Sequence, residues 1–281
     1  MRMRSFLAGV LILATGNFAM ADTIRGIDIE FVTIGNVNNS ADSTGFGAVN
    51  YAYRMGKYEV TAQQYNTAAA AGGFHVGSGS GNTPVAESWY DAAYFCNYLT
   101  TGNKNTGVYT ISGDSIQIMD HQLARSTYGV AYFIPSEDEW YKAAYYKPDG
   151  SGYSSFANGT DVAPLAGIET NYNTNPRHGQ VWAVGSGAME QNGTYDMMGN
   201  RLEWTEGLDI ESRRILRGGF WTGSADYLMS SMRLSTSPDN YGSIGFRIAA
   251  TPIPEPATLL LLGLGGLILR KRGINCKDGG S

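Results

Sequence analysis

Chemistry in this 281-residue chain would first be sought among three histidines, two cysteines and one acidic run. His75, His121 and His178 stand far apart, with neither HxxxH nor HExxH spacing, which argues against a histidine-built transition-metal site. Cys96 falls with Ala92, Phe95 and Leu99 at three-to-four-residue spacing, one face of a helix, and reads as a core thiol rather than a reactive one. Glu137, Asp138 and Glu139 are consecutive. Neighbouring positions on a helix turn diverge, so they suit capping and dipole stabilisation better than paired acid–base work. The run Gly77-Ser78-Gly79-Ser80-Gly81 lacks the lysine of a phosphate loop and the strand–turn–helix setting of a nucleophile elbow, and reads as a flexible loop. Trp182, Trp221, Tyr227 and Tyr241 could floor a carbohydrate site, although burial accounts for most aromatics.

The elements that must position these residues are few. Ile24 to Ile34 alternates and predicts a strand, and Tyr51 to Val60 predicts a second. Between them Val37 to Gly47 is a polar loop. Three helices carry capping-box starts. Thr61 with Gln64 opens one that runs to Gly72-Gly73. Ser88 with Asp91 opens one through Leu99, and Ser136 with Glu139, after Pro135, opens one through Tyr146. From Lys147 to Gly193 the chain is mostly turn residues, a length that usually signals function or a ligand. Strand-like pieces return at Arg214 to Arg217 and Ile244 to Ala249. Few helices, short strands and much irregular chain predict a single, loop-rich α+β domain.

The two ends read as addresses. Arg2 and Arg4 precede the apolar run Phe6 to Ala14, and Ala19-Met20-Ala21 is a small-x-small processing site, so residues 1–21 read as a secretory signal and the mature chain as starting at Asp22. The run is too short to span about 30 Å of hydrocarbon as an anchor. At the other end stand Pro254-Glu255-Pro256, the apolar run Ala257 to Leu269 and the basic cluster Arg270-Lys271-Arg272, followed by Gly273 to Ser281. The basic cluster would stay on the cytoplasmic side.

Losing Arg2, Arg4, Arg270, Lys271, Arg272, Lys277 and Asp278 takes the formal charge from −5 to −10. An acidic body repels phosphate backbones, so nucleic acid is not an expected partner. Cys276 goes with the tail, leaving Cys96 without an intramolecular disulfide partner.

The tripartite ending over residues 252–281 resembles the PEP-CTERM sorting signal. That resemblance implies a bacterium with an outer membrane, transient membrane contact through the helix of residues 257–269, and processing by an exosortase near Pro-Glu-Pro. It also implies delivery to the cell surface or extracellular matrix.

The body, residues 22–251, carries a second resemblance. Tyr53-Arg54-Met55-Gly56-Lys57-Tyr58-Glu59-Val60-Thr61, Pro84-Val85 with Ser88-Trp89-Tyr90-Asp91-Ala92, and Ile134-Pro135-Ser136-Glu137-Asp138-Glu139-Trp140 come first. Tyr195 to Trp204 (Tyr-Asp-Met-Met-Gly-Asn-Arg-Leu-Glu-Trp), Leu216-Arg217-Gly218-Gly219-Phe220-Trp221 and Gly245-Phe246-Arg247 follow in order. Together they resemble the formylglycine-generating enzyme, or sulfatase-modifying factor, family, which implies a variant of the C-type lectin fold.

In the oxidases of that family two cysteines after a Gly-Gly-Ser-Trp/Tyr motif bind copper(I), for which soft thiolates are suited. Gly223 and Leu228 fall at those positions here, and Phe220 replaces the serine, so no copper and no such oxidation are expected. The family's calcium stretch implies Asp196 and Glu203 as side-chain ligands, with Gly199 and Arg201 as carbonyl ligands. Calcium takes six to eight hard oxygens, which such a turn can converge. Alternatively Glu203 caps backbone amides or pairs with a buried arginine such as Arg217, Arg233 or Arg247. A second family site implies Asn171 and the carbonyl of Tyr172. The resulting expectation is a non-catalytic binding module for an extracellular glycan (a polysaccharide) or protein, holding structural Ca²⁺. The alternatives are an enzyme of unknown reaction that reuses the same cleft, or a degenerate relative.

Overall fold

The computed structural model describes residues 20–113, 115–173 and 179–253. His178, most of the expected secretory signal of residues 1–21, the apolar run of residues 257–269 and the basic cluster of residues 270–272 lie outside the described residues.

The chain opens with a hairpin. Strand β1 (Met20–Ile24) pairs antiparallel with β2 (Ile27–Ile34), Ile24 facing Ile27 across a two-residue turn. The stretch Ile24 to Ile34 is therefore two strands rather than one. Arg25 (φ 52°) and Gly26 (φ 81°) both take left-handed backbone, the tight turn that matches strand twist. The alternation of apolar residues runs on through the turn and hides it. The next strand is also shorter than its apolar pattern, covering Tyr53–Gly56 (β3).

Helix α1 (Ala62–Gly72) begins at a full Thr61–Gln64 capping box and ends at Gly73 in left-handed conformation. Helix α2 (Trp89–Thr101) starts at Ser88, which accepts from the Asp91 N–H. Its Ala92, Phe95, Cys96 and Leu99 are all buried, and burial raises the Cys96 thiol well above its ordinary range. The thiol is part of the core. A hairpin, β4 (Tyr109–Ser112) and β5 (Ser115–Ile118), and helix α3 (His121–Tyr128) follow. Strand β6 (Tyr132–Phe133) leads into α4 (Glu137–Tyr145), opened by the Ser136–Glu139 capping box.

Residues 146–173 and 179–201 contain turns and single bridges, with no helix or strand among the described residues. Strands β7 (Leu202–Leu208), β8 (Arg214–Arg217), β9 (Leu234–Thr236), β10 (Ile244–Gly245) and β11 (Ala249–Ala250) complete the chain.

Two sheets organise the molecule. One has the order β1-β2-β3-β11-β6 and the other β10-β7-β8-β9. Strand β11 inserts between β3 and β6, so the last of the described strands locks the first sheet. Buried Trp89, Trp140 and Trp204 fill the core between helices and sheets. The three adjacent carboxylates of α4 diverge as their spacing requires. Glu137 meets Arg217 and Arg233, Asp138 accepts from the Gly47 N–H, and Glu139 meets His121. This is an α+β, loop-rich domain.

Candidate functional site

The stretch Tyr195 to Trp204 forms a buried acidic knot where β7 begins. Two residues in it, Asp196 (φ 59°) and Asn200 (φ 56°), hold left-handed backbone, as does Gly199 (φ 79°). At Gly199 a Cβ would stand 2.4 Å from the Asn171 carbonyl oxygen, so only glycine fits. The close approach brings Asn171 onto the turn. Its carbonyl accepts from Asn200 N–H at 2.8 Å and its Nδ2 donates to Asn200 Oδ1 at 3.0 Å.

Asn200 is the hub. Its Nδ2 donates to Glu59 Oε2 at 2.6 Å, its Oδ1 accepts from Trp182 N–H, and its carbonyl accepts from Trp221 N–H. Glu59 Oε1 accepts from Arg201 N–H at 3.1 Å. Glu203 is fully buried and lies in a forked ion pair with Arg247, which donates Nε to one oxygen at 2.7 Å and Nη2 to the other at 2.5 Å. Trp140 Nε1 adds a donor to Glu203 at 2.7 Å. Asp196 Oδ2 accepts from Gly185 N–H at 2.7 Å. Glu190 accepts from Thr194 and from the Met197 and Met198 N–H groups. Of the partners open to Glu203 on sequence grounds, the fold chooses Arg247.

The electrostatics follow from burial. Four buried carboxyl groups, Glu59, Glu190, Asp196 and Glu203, surround one guanidinium. Desolvation, then Asp196 and Glu203, pushes Glu59 well above the usual carboxylate range. Desolvation is also the main cause that takes Glu190 to about 8 and Asp196 to about 6. Such a surplus of acid is what a bound cation would relieve.

The donor set suits calcium better than a transition metal. Asn171 Oδ1 is buried with no hydrogen-bond partner among the described residues. A carboxylate has about four lone-pair positions, and the bonds from Trp140 and Arg247 use three of those on Glu203. Among the described residues, no three His, Cys, Asp or Glu side chains converge as a metal-holding group. A cation here would therefore lean on neutral oxygens, Asn171 Oδ1 and backbone carbonyls, as calcium tolerates. Asn171 and Tyr172, a separate pair in the sequence reading, adjoin the Asp196–Glu203 turn through the Asn171–Asn200 contacts.

The other candidate residues divide. Phe220 stacks edge-on with Tyr227 at 5.1 Å, Gly223 turns back onto the Phe220 carbonyl, and Leu228 is buried under the Tyr145 hydroxyl. Trp182 and Trp221 flank Asn200 through their backbone N–H groups and are half-buried. Tyr241 is 57% exposed beside His75, so burial does not account for that ring. Sequence reasoning missed Glu59, Glu190 and Asn200 as members of the knot. Glu59 and Asn200 stand inside the quoted motifs but carry no spacing signal of their own, and Glu190 lies in the turn-rich stretch.

Comparison with known proteins fits this geometry. A family model described as the sulfatase-modifying factor enzyme 1-like domain matches residues 4–252, and a PEP-CTERM protein-sorting motif matches residues 252–272. The fold is similar to that of Treponema denticola variable protein 1, at 22% identity, over 83% of this chain and 99% of that one, with a TM-score of 0.61. It is also similar to CarF (21%, 80% and 98%, TM-score 0.59) and to PvdO from Pseudomonas aeruginosa (17%, 79% and 94%, TM-score 0.55). At these identities the likeness speaks for the fold alone. No curated relative matches the chain in sequence. The sorting motif implies export to the envelope or surface of a Gram-negative bacterium through exosortase-type machinery. With a family model spanning nearly the whole body and its motifs gathered around one buried knot, the chain belongs to the sulfatase-modifying factor enzyme 1-like domain family.

Proposed function

We propose that this exported domain is a non-catalytic binding module for an extracellular glycan or protein, stiffened by a structural calcium ion. The observation that carries the first part is the set of residues at the positions that the family resemblance assigns to oxidation. Phe220, Gly223 and Leu228 bring neither thiol nor hydroxyl, and Leu228 is packed in the core. The one cysteine of the described body, Cys96, is buried on α2. For calcium the support is the acid surplus around Arg247; Asp196, the one lone-pair position left on Glu203, and the carbonyls of Gly199 and Arg201 would be the ligands. The orphaned Asn171 Oδ1 and the Tyr172 carbonyl would serve as neighbouring oxygens.

Two measurements test the reading. Calcium about a hundredfold above its Kd adds about 2.7 kcal/mol to the folded state. The thermal midpoint should then rise by roughly 5–10 °C in a domain of this size. The rise should disappear in Asp196→Asn. An unchanged midpoint in both calcium and EDTA would remove the ion from the proposal. For function, the exported protein should be retained on the producing cell's own polysaccharide or surface proteins. Oxidation of a sulfatase-type cysteine peptide in the presence of copper and oxygen would overturn the non-catalytic assignment.

A further inference from the structure

Away from the acidic knot, a cleft of about 430 Å³ opens between β2 and the first turn of α1. That volume lies within the range of about 300–1,000 Å³ usual for small-ligand sites. Asp28 and Glu30 are two apart on β2 and therefore share the face that lines it. Tyr58 forms a wall, and its ring is braced by Tyr195 at 5.3 Å, so it is presented as a fixed plate. Gln63 and Asn82, both exposed, supply amides at the rim.

The charge of the cleft narrows its ligand. Glu30 is paired with Lys57 at 2.9 Å, and no lysine or arginine lines the cleft itself. Asp28 accepts one bond, from the Thr23 hydroxyl at 2.6 Å, and leaves further acceptor capacity towards solvent. Lys57 Nζ stands 5.1 Å from the centre of the Tyr58 ring but is committed to Glu30, so an anionic ligand would meet the Asp28 carboxylate without a free cation. A polyol would meet acceptors and amides for its hydroxyls and a ring for its C–H face. A separate, very small cavity on the other side of Glu30, Tyr58 and Gln64 is lined by Glu59.

We propose that the cleft between β2 and α1 binds a neutral sugar unit of an extracellular polysaccharide. The pyranose ring lies on Tyr58, and its hydroxyls bond Asp28, Gln63 and Asn82. This assignment rests on the glycan-binding reading above and names the place and the class of sugar.

Affinity electrophoresis of the exported protein through gels containing galactomannan, dextran or polygalacturonate tests it. Retardation by at least one of the two neutral polymers, and none by polygalacturonate, is expected. Asp28→Ala and Gln63→Ala, both at exposed positions, should each weaken that retardation about tenfold, or 1.4 kcal/mol, with an unchanged thermal midpoint. Tyr58→Ala should abolish it. Failure of both neutral polymers to retard the protein, retardation by polygalacturonate alone, or wild-type binding by the variants would each overturn the site. Retention on the producing cell's polysaccharide that survives in all three variants sinks this cleft and keeps the binding module. Loss of that retention in the wild-type protein sinks the glycan reading itself.

Discussion

Arg247 is a fully buried guanidinium whose donors reach Glu203 and the carbonyls of Gly56, Lys57 and Tyr195. One side chain thus ties the end of β3 to the start of β7. Removing it strands Glu203 without a cation, and breaking a buried pair in this way costs about 3–5 kcal/mol. Arg247→Ala should lower the unfolding free energy obtained from urea titration by that amount, with a correspondingly lower midpoint. Arg247→Lys should recover only part of it, because an ammonium cannot reproduce the fork. An unaltered midpoint would show that the pair contributes little. From the sequence, Arg247 was one of three arginines that could meet Glu203. Nothing in their spacing ranks them, because the choice depends on which loop closes over the carboxylate.

Helix starts were the most legible elements. Thr61, Ser88 and Ser136 all accept the bonds that their patterns predict, because a cap is a local contact over three residues. Ser136→Ala should cost about 1 kcal/mol and be seen as a lower midpoint with unchanged far-ultraviolet dichroism. A neutral effect would mean that tertiary packing alone holds α4. Helix α3 was not legible, although Asp120 caps it through the N–H groups of Gln122 and Leu123. That helix has only eight residues, and its apolar stripe is the single pair Ala124 and Tyr128, too short to stand out in the sequence. The β4–β5 hairpin escaped as well, being two four-residue strands in which only Tyr109 is fully buried.

Across the whole molecule, His121 joins three elements that are distant in sequence. Its Nδ1 lies 3.0 Å from Glu139 of α4 and its Nε2 lies 3.2 Å from Glu206 of β7, while Phe133 stacks on the ring at 3.6 Å. Tyr51 and Tyr109 donate to the same two carboxylates. Burial alone would lower the imidazole, but Glu139 and Glu206 outweigh it and hold it well above 6.5. Because the folded value is raised, the stabilisation is complete below about 6.5, the ordinary histidine value, and is lost as pH rises through the folded value. The midpoint difference between the wild type and His121→Gln should therefore shrink as pH is taken upward from neutrality. A difference independent of pH would show that the ring contributes by packing alone. The three histidines stand far apart in the sequence, without metal-ligand spacing. The same separation concealed that one of them is a bridge.

The sequence by itself determined what depends on short range or on composition. The caps, the core face of α2, the divergence of three adjacent carboxylates, the α+β class, the C-terminal sorting motif and the family were all readable from residues a few positions apart or from motifs in order. Only the tertiary structure decided that Glu203 takes Arg247, that Asn171 lies on the Gly199–Asn200 turn, and that Asp28 and Tyr58 face one cleft. Those contacts join residues 29 to 44 positions apart in the sequence. Their partners are selected by chain closure and desolvation, which no local pattern records.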